Sequence, residues 1–379
     1  MPNDLKGYLD YASTTPLDTE IRQTYEGLLK AYFANSDSLY KDGRQIETMQ
    51  EESRQQILKL LGLPKHQVIF TSGASEANNL ALKGTAFLHQ IKPGRILVSA
   101  IEHSSVLNSA KQLAEVFGFE VVYLPVDEYG IVKLEALKKN LTADTILVSI
   151  QYVNNETGTL EPIREILSLL REYPGVLLHC DCVQALGKID LSEVKDADLI
   201  SLSAHKIYGL KGSGVLLKKK HLPLVPLISA GQQEEGLRGG TSNALVNIVF
   251  AKTLRLALEK QAEHFEYVTS LNQKLRKGLK DEVIFLSPDN ASPYILSIAN
   301  LKLSSEVWMN ALEKAGFLVS AKSTCSSRKT SDSHVLVAMG IKPKLRQNVI
   351  RVSLSHLVEP ADIDRFIAVN KEILAHYGL

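Results

Sequence analysis

The sequence has 379 residues and a net charge of +1, with 45% apolar and 22% charged residues. This composition is typical of a soluble globular protein, and the length predicts two subdomains. The near-zero charge excludes bulk electrostatic binding to nucleic acid, and no apolar run is long enough to span a bilayer. The first residues lack the apolar core of a signal peptide, and three cysteines are too few and odd in number for a disulfide framework. We therefore predict a cytoplasmic protein with no membrane partner and no direct nucleic-acid partner.

An irregular arm opens the chain. Residues 8–16 combine a short apolar start with small hydroxyl residues and a proline, which is typical of a turn. Helical spacing of apolar residues then predicts helices over about residues 18–32 and 44–62.

A strand–turn–helix rhythm follows. Short apolar runs rich in Val, Ile and Leu alternate with helical segments, and this pattern predicts a mostly parallel seven-stranded sheet with helices on its faces. The predicted strands are residues 67–71, 95–99, 120–124, 145–150, 176–179, 198–202 and 214–217.

The last third of the chain predicts a smaller α+β unit. A single long helix is expected over residues 243–279, and residues 320–333 are small and polar without periodicity, as in a mobile loop. Further strands are predicted at 283–285, 294–298 and 349–353, and helices at 306–315, 334–339 and 361–375. We predict a large α/β domain over residues 14–255, with a small α+β domain formed by residues 1–13 and 256–379.

Polar or ionisable residues follow several of the predicted strands. In open α/β sheets ligands bind beyond the carboxyl ends of the strands, so these residues should meet at one edge of the sheet. They are Ser72 to Asn78, Glu102 and His103, Asn154 to Glu156, Asp181 and Gln184, and Ser203, His205 and Lys206.

Lys206 stands where the sixth strand breaks into small and polar residues. Burial disfavours a charged ammonium, so a lysine here makes sense as a nucleophile that forms a Schiff base. An ordinary surface lysine is the alternative, since Lys211 and the run 218–220 follow.

Three further features accompany this lysine. The turn at residues 72–75 leads into a helix whose free N–H groups can hold a phosphate, although a plain turn fits as well. Asp181 ends an apolar run and needs a cation such as a protonated pyridine nitrogen. His103 could stack on a ring and move protons, or simply cap a helix. Together these residues fit pyridoxal 5′-phosphate (PLP), and we predict no metal, because Cys180 and Cys182 lack a second ligand pair and suit the core.

The chain resembles cysteine desulfurases of the NifS type, which are class V aminotransferase-like PLP enzymes of fold type I. The resemblance extends over nearly the whole length of the chain. Within the family, the chain is similar to the group with a long mobile cysteine loop. It is carried by residues 8–16 (YLDYASTTP), 70–79 (FTSGASEANN), 102–103 (EH), 153–158 (VNNETG), 179–184 (HCDCVQ), 203–209 (SAHKIYG), 236–243 (GLRGGTSN), 325–327 (CSS) and 351–353 (RVS).

The resemblance implies a role for each matching residue. Lys206 binds PLP covalently and later moves the Cα proton, with His103 stacked on the ring as a second proton-transfer group. The cofactor-binding residues implied are Ala74, Ser75, His103, Asn155, Asp181, Gln184, Ser203, His205, Lys206 and Thr241. Asp181 pairs with the pyridine nitrogen and Gln184 with the phenolic oxygen, while Ser75, Ser203 and His205 hold the phosphate.

The resemblance also implies contacts with a second subunit and with the substrate. Thr241 is expected to reach the phosphate of a neighbouring subunit, which implies a homodimer. Arg351 binds the substrate carboxylate beside Asn155.

Cys325 is the third catalytic residue that the resemblance implies. Its thiolate takes the sulfur of L-cysteine as a persulfide, L-alanine is released, and the loop carries the sulfur to an acceptor protein. Iron–sulfur cluster assembly, tRNA thiolation and cofactor biosynthesis are possible destinations. A selenocysteine lyase or another class V aminotransferase-like enzyme is the alternative, although an aminotransferase has no need of Cys325. A non-enzymatic scaffold would need neither Lys206 nor Cys325.

Overall fold

The computed structural model describes residues 5–321 and 332–376. Its larger sheet has seven strands in the order β1-β7-β6-β5-β4-β2-β3, and only β7 runs antiparallel to its neighbours. The strands are β1 His66–Thr71, β2 Arg95–Ser99, β3 Glu120–Leu124, β4 Thr145–Ser149, β5 Leu177–Asp181, β6 Leu199–Ser203 and β7 Gly214–Lys219. The predicted mostly parallel sheet is therefore confirmed.

Helices cover both faces of this sheet, which explains its continuous apolar strands. Neighbouring residues of one strand point to opposite layers, so Leu199 packs in one apolar cluster and Ile200 in the other. The helices around the sheet are α1 Thr19–Ala31, α2 Lys41–Leu61, α3 Ala74–Ala86, α4 Ser104–Phe117, α5 Leu134–Asn140, α6 Ile163–Leu170 and α7 Ala244–Glu259.

A second, antiparallel sheet of order β10-β9-β8 has its own core around Trp308, Phe317 and Phe366. Leu9 and Tyr11 of the amino-terminal arm are buried in the same core. The remaining elements are α8 Gln261–Leu279, β8 Ile284–Phe285, β9 Ile295–Ala299, α9 Ser305–Lys314, α10 His334–Ala338, α11 Pro343–Arg346, β10 Val349–Ser353 and α12 Pro360–His376. The domain boundary between residues 255 and 256 stays a prediction.

The single long helix expected over residues 243–279 is wrong. The helix breaks at Lys260, whose φ of −116° and ψ of 13° lie outside the helical region, and the chain continues as α8. Phe250 and Leu254 of α7 are buried in the core of the larger sheet, whereas Val268 and Leu271 of α8 are buried in the core of the smaller one. The break lets each helix direct its apolar face at a different core.

Candidate active site

The carboxyl ends of β1, β2, β4, β5 and β6 open into a cavity of about 580 Å³, which is within the range of small-molecule sites. Most residues that the sequence predicted for the site line this cavity. They are Ala74, Ser75, His103, Asn155, Asp181, Gln184, Ser203, His205, Lys206 and Arg351.

Lys206 lies directly after β6 and is held by the amino-terminal arm. Its Nζ donates hydrogen bonds of 2.6 Å to the carbonyl oxygens of both Ala12 and Ser13. Two residues later Tyr208 has a φ of +66°, a conformation that a bulky residue adopts only when its surroundings enforce it. The Tyr208 N–H donates to Thr15 Oγ1 at 2.7 Å, and its hydroxyl lies 2.6 Å from Ser355 Oγ. The turn that carries Lys206 is thus fixed at both ends.

One end of the cavity is suited to an anion. Helix α3 begins after Gly73, which has a φ of +152° and provides no side-chain cap, so the first N–H groups of the helix remain available to a ligand. Ser203 and His205 line the same cavity. Burial, with the nearby charges of Lys206 and Lys211, lowers the pKa of His205 to about 4. His205 is therefore neutral at pH 7 and can donate one ring N–H without adding charge.

Asp181 and His103 are joined by two side chains. Asn78 Nδ2 donates to Asp181 Oδ2 at 2.8 Å and to Ser105 Oγ at 2.9 Å, and the Val183 N–H donates to Asp181 Oδ1 at 3.0 Å. Ser105 Oγ lies 2.8 Å from His103 Nδ1. These hydrogen bonds orient the carboxyl group of Asp181 and the imidazole of His103.

The same contacts determine which nitrogen of His103 carries the proton. The backbone N–H of Ser105 donates to Nδ1 at 3.2 Å, so Nδ1 is the acceptor and the proton of the neutral ring is on Nε2. Burial lowers the pKa of His103, with Asp181 raising it and Lys206 lowering it to a smaller extent. The neutral ring therefore has its N–H on the nitrogen that is not tied to helix α4.

Arg351 is almost fully buried and belongs to the smaller sheet. Its guanidinium forms an ion pair of 2.8 Å with Asp10, and it donates to Ser13 Oγ at 2.8 Å and to the Asn155 carbonyl at 2.7 Å. Its Nε has no partner within the described residues. The guanidinium is thus oriented by fixed neighbours and keeps donor capacity for a carboxylate.

The aminotransferase class V family model matches residues 7–366. The chain belongs to the class V aminotransferase family. It is 38% identical over 377 residues to a NifS/IcsS protein homolog of Lactobacillus delbrueckii subsp. bulgaricus, covering 98% of both chains. It is 37% identical to the cysteine desulfurase IscS of Dictyoglomus turgidum, covering 97% of this chain and 94% of that protein. A solved NifS-like protein superimposes with a TM-score of 0.91 at 33% identity and covers 98% of this chain and 100% of its own. The resemblance to class V aminotransferase-like enzymes of the NifS type is confirmed, whereas the mobile cysteine loop predicted over residues 320–333 lies largely outside the described residues.

Among the described residues, one predicted site residue, Thr241, does not line the cavity. Thr241 is exposed in the segment between β7 and α7, and its contact with a neighbouring subunit stays a prediction. Cys325 lies outside the described residues. Cys180 and Cys182 are fully buried in the core of the larger sheet, as predicted.

Sequence reasoning missed two groups of residues. Ala12, Ser13 and Thr14 line the cavity, yet nothing in the sequence indicated that the carbonyl groups of Ala12 and Ser13 would hold a lysine. The sequence placed Asn78 at this edge but did not predict its role, and it missed Ser105 in the first turn of α4. Searching the first two turns of the helix after each strand for amide and hydroxyl side chains could have found both.

No helix in residues 5–321 and 332–376 is long and apolar enough to cross a membrane. Within those same ranges, no cluster of three His, Cys, Asp or Glu side chains is arranged to hold a metal ion.

Proposed function

We propose that this protein is a PLP-dependent cysteine desulfurase that converts L-cysteine to L-alanine. The sulfur passes through a persulfide on Cys325 to an acceptor protein. The observation that carries the proposal is that Lys206, Asp181 and Arg351 line one cavity. A nucleophilic amine, a buried carboxylate and a guanidinium for an amino acid are the groups that this reaction needs.

The residues present fit PLP. The uncapped start of α3, Ser203 and His205 form an anion site for the phosphate. Asp181, held in place by the donors Asn78 and Val183, suits a protonated pyridine nitrogen. When bound, PLP supplies an electron sink that makes the substrate's Cα proton acidic.

Residues of this chain then do the remaining work. Lys206 Nζ binds the cofactor and moves the Cα proton, and His103 presents the proton of Nε2 to the cavity. Arg351 binds the substrate carboxylate, and Asn155, whose carbonyl accepts from Arg351, lies beside it. A guanidinium that already has fixed partners loses little conformational entropy when the substrate binds.

Cys325 is the proposed sulfur acceptor within the chain. Its thiolate forms an S–S bond as the C–S bond of the substrate breaks; the electrons of that bond stay on carbon, and a proton added there gives alanine. Both described ends of the segment that contains it adjoin the cavity. Ser320 pairs through its backbone with Arg351, and Ser333 Oγ donates to Glu156 Oε2 at 2.5 Å.

We also propose a homodimer. The large apolar side chains of Leu29, Phe33, Leu39 and Tyr40 are 53%, 93%, 86% and 55% exposed and lie near the turn between α1 and α2. This region contacts the segment that carries Thr241, because Gln233 donates to Asp37 at 2.6 Å. Covering such side chains with a second copy would remove apolar surface from water. Sedimentation equilibrium should give twice the chain mass, and a monomer would contradict the proposal.

The function is tested with purified protein, PLP and L-cysteine. We expect a yellow protein that releases sulfide and alanine in equal amounts under reducing conditions. Lys206→Ala should lose the visible absorption band and the activity. Cys325→Ser should keep the band and lose sulfide release. A colourless wild type overturns the cofactor assignment, and undiminished turnover by Cys325→Ser indicates a lyase that does not use this thiol.

A further inference from the structure

Lys188 is a buried cation next to the cavity that no step of the proposed reaction uses. Its side chain belongs to the turn after β5 and is only 7% exposed. It does not line the cavity. Burying an amine costs free energy unless it forms hydrogen bonds, and a methionine would fill a similar volume without that cost. A lysine at this position therefore calls for an explanation.

The Lys188 amine contacts the amide of Gln184. Backbone hydrogen bonds from the Leu186 N–H to the Cys182 carbonyl and from the Ile189 N–H to the Ala185 carbonyl close this turn, in which Gly187 has a φ of +66°. Lys188 Nζ lies 3.2 Å from Gln184 Oε1, its one hydrogen-bond partner in the described part of the chain. An amine of lysine donates to oxygen, so this contact identifies the oxygen end of the Gln184 amide.

The other end of that amide is fixed as well. Gln184 Nε2 donates to the Ala12 carbonyl at 2.9 Å, and the same carbonyl accepts from Lys206. One N–H of Nε2 thus remains for a ligand in the cavity, which Gln184 lines. Without Lys188, Gln184 Oε1 would lose its hydrogen-bond donor in the described part of the chain. The amide would then lower its free energy by rotating toward another donor.

The charges around Lys188 show how a lysine is tolerated here. Burial, with the positive charges of Lys206 and Arg351, lowers the pKa of Lys188 to about 7. At neutral pH a large fraction of the amine is uncharged, which limits repulsion with those two residues. Both the charged and the neutral amine carry N–H donors, so the contact with Oε1 persists in either state.

We propose that Lys188 is a positioning residue that holds the side-chain amide of Gln184 with one N–H directed at the ring of the bound cofactor. This inference rests on the proposed function, because it assumes that the cavity binds PLP. Lys188 acts through Gln184 and does not itself touch the cofactor or the substrate.

The test uses the full-length protein and PLP as the probe. Lys188→Met should raise the apparent Kd for PLP by about 3- to 10-fold and displace the visible band, since one oriented hydrogen bond to the ring is lost. In a Gln184→Ala background the same change should have no further effect, because the residue through which it acts is absent. An effect of Lys188→Met that is undiminished by Gln184→Ala, or no effect on Kd and band in the wild-type background, overturns the proposal.

Lys218→Met is the matched control. Lys218 is also buried, at 3% exposure, and donates to the carbonyl oxygens of Lys219, Lys220 and Leu222, but it does not line the cavity. Its loss should leave the band and the Kd unchanged, whereas an equal effect of both variants would mean that any buried lysine matters.

If Lys188→Met does not fold, a crystal structure of the wild-type protein with PLP tests the proposal instead. Lys188 Nζ must lie within hydrogen-bonding distance of Gln184 Oε1, with Nε2 facing the ring, and any other arrangement overturns the proposal. A wild type that binds no PLP defeats the proposed function as well, whereas an unchanged Lys188→Met beside a yellow wild type defeats only this inference.

Discussion

The cavity has two walls of different construction. The strand-end wall consists of side chains that follow β1, β2, β4, β5 and β6, and it includes His103, Asp181 and Lys206. The arm wall consists of Ala12 to Thr14 of the amino-terminal arm together with Arg351 of β10. The first wall comes from one sheet. The second exists only because the arm lies between the two sheets.

This difference separates two tasks. In the proposed reaction the strand-end wall holds the cofactor, and its geometry is fixed by neighbouring parallel strands. The arm wall holds the substrate, and its geometry depends on contacts such as the bond from the Ser353 N–H to the Leu9 carbonyl at 2.7 Å. Changes in the arm wall should therefore alter the KM for cysteine, and changes in the strand-end wall should alter cofactor chemistry.

The largest effect is expected in the arm wall. Arg351→Ala should lower kcat/KM for cysteine about 100-fold, mainly through KM, because hydrogen bonds between a guanidinium and a carboxylate are charge-assisted. The visible band of the cofactor should stay, since the strand-end wall is untouched. Steady-state kinetics and an absorption spectrum measure both quantities. Loss of the band with KM unchanged would contradict the separation of the two walls. A melting curve shows whether the loss of the ion pair with Asp10 has destabilised the fold.

A smaller effect is expected in the strand-end wall. Asn78→Ala removes the donor shared by Asp181 and Ser105, so kcat should fall about 10-fold while KM for cysteine stays within a factor of about two. The neighbouring Asn79→Ala is the matched control, because within the described residues Asn79 Nδ2 donates only to the Ser75 carbonyl one turn earlier in α3. An effect on KM alone, or equal effects of the two variants, would contradict this assignment.

The smallest effect is expected behind the strand-end wall. Cys182 is fully buried, and burial raises the pKa of its thiol well above the ordinary value, so it forms no thiolate at neutral pH. Cys182→Ala should keep turnover within about twofold and destabilise the fold by about 1 kcal/mol through the lost volume. Sulfide release and thermal unfolding measure the two. Abolished turnover in a folded variant would show that Cys325 is not the only functional thiol.

The sequence-based predictions were accurate for features that local patterns define and wrong where the packing of distant parts decides. The strands at residues 95–99, 120–124 and 349–353 begin and end at the predicted residues. Such short β-branched runs are easy to delimit because clear turns bound them. The helix at residues 243–279 is wrong because apolar periodicity does not reveal that its halves pack in different cores. A pattern along the chain reports which residues are buried, but not against which sheet.

The α/β class and the positions of His103, Asp181 and Lys206 follow from the order of residues along the chain, since each residue stands at or near the end of a strand. Parallel strands bring such residues to one edge of a sheet. The contacts of Lys206 with Ala12, 194 residues away, and of Arg351 with Asp10, 341 residues away, arise from the packing of the two sheets and the arm. The contact of Lys188 with Gln184 is local in the chain, but the orientation of the Gln184 amide also depends on the Ala12 carbonyl of the arm. Long-range contacts form only when both sheets have packed, and no local pattern encodes them.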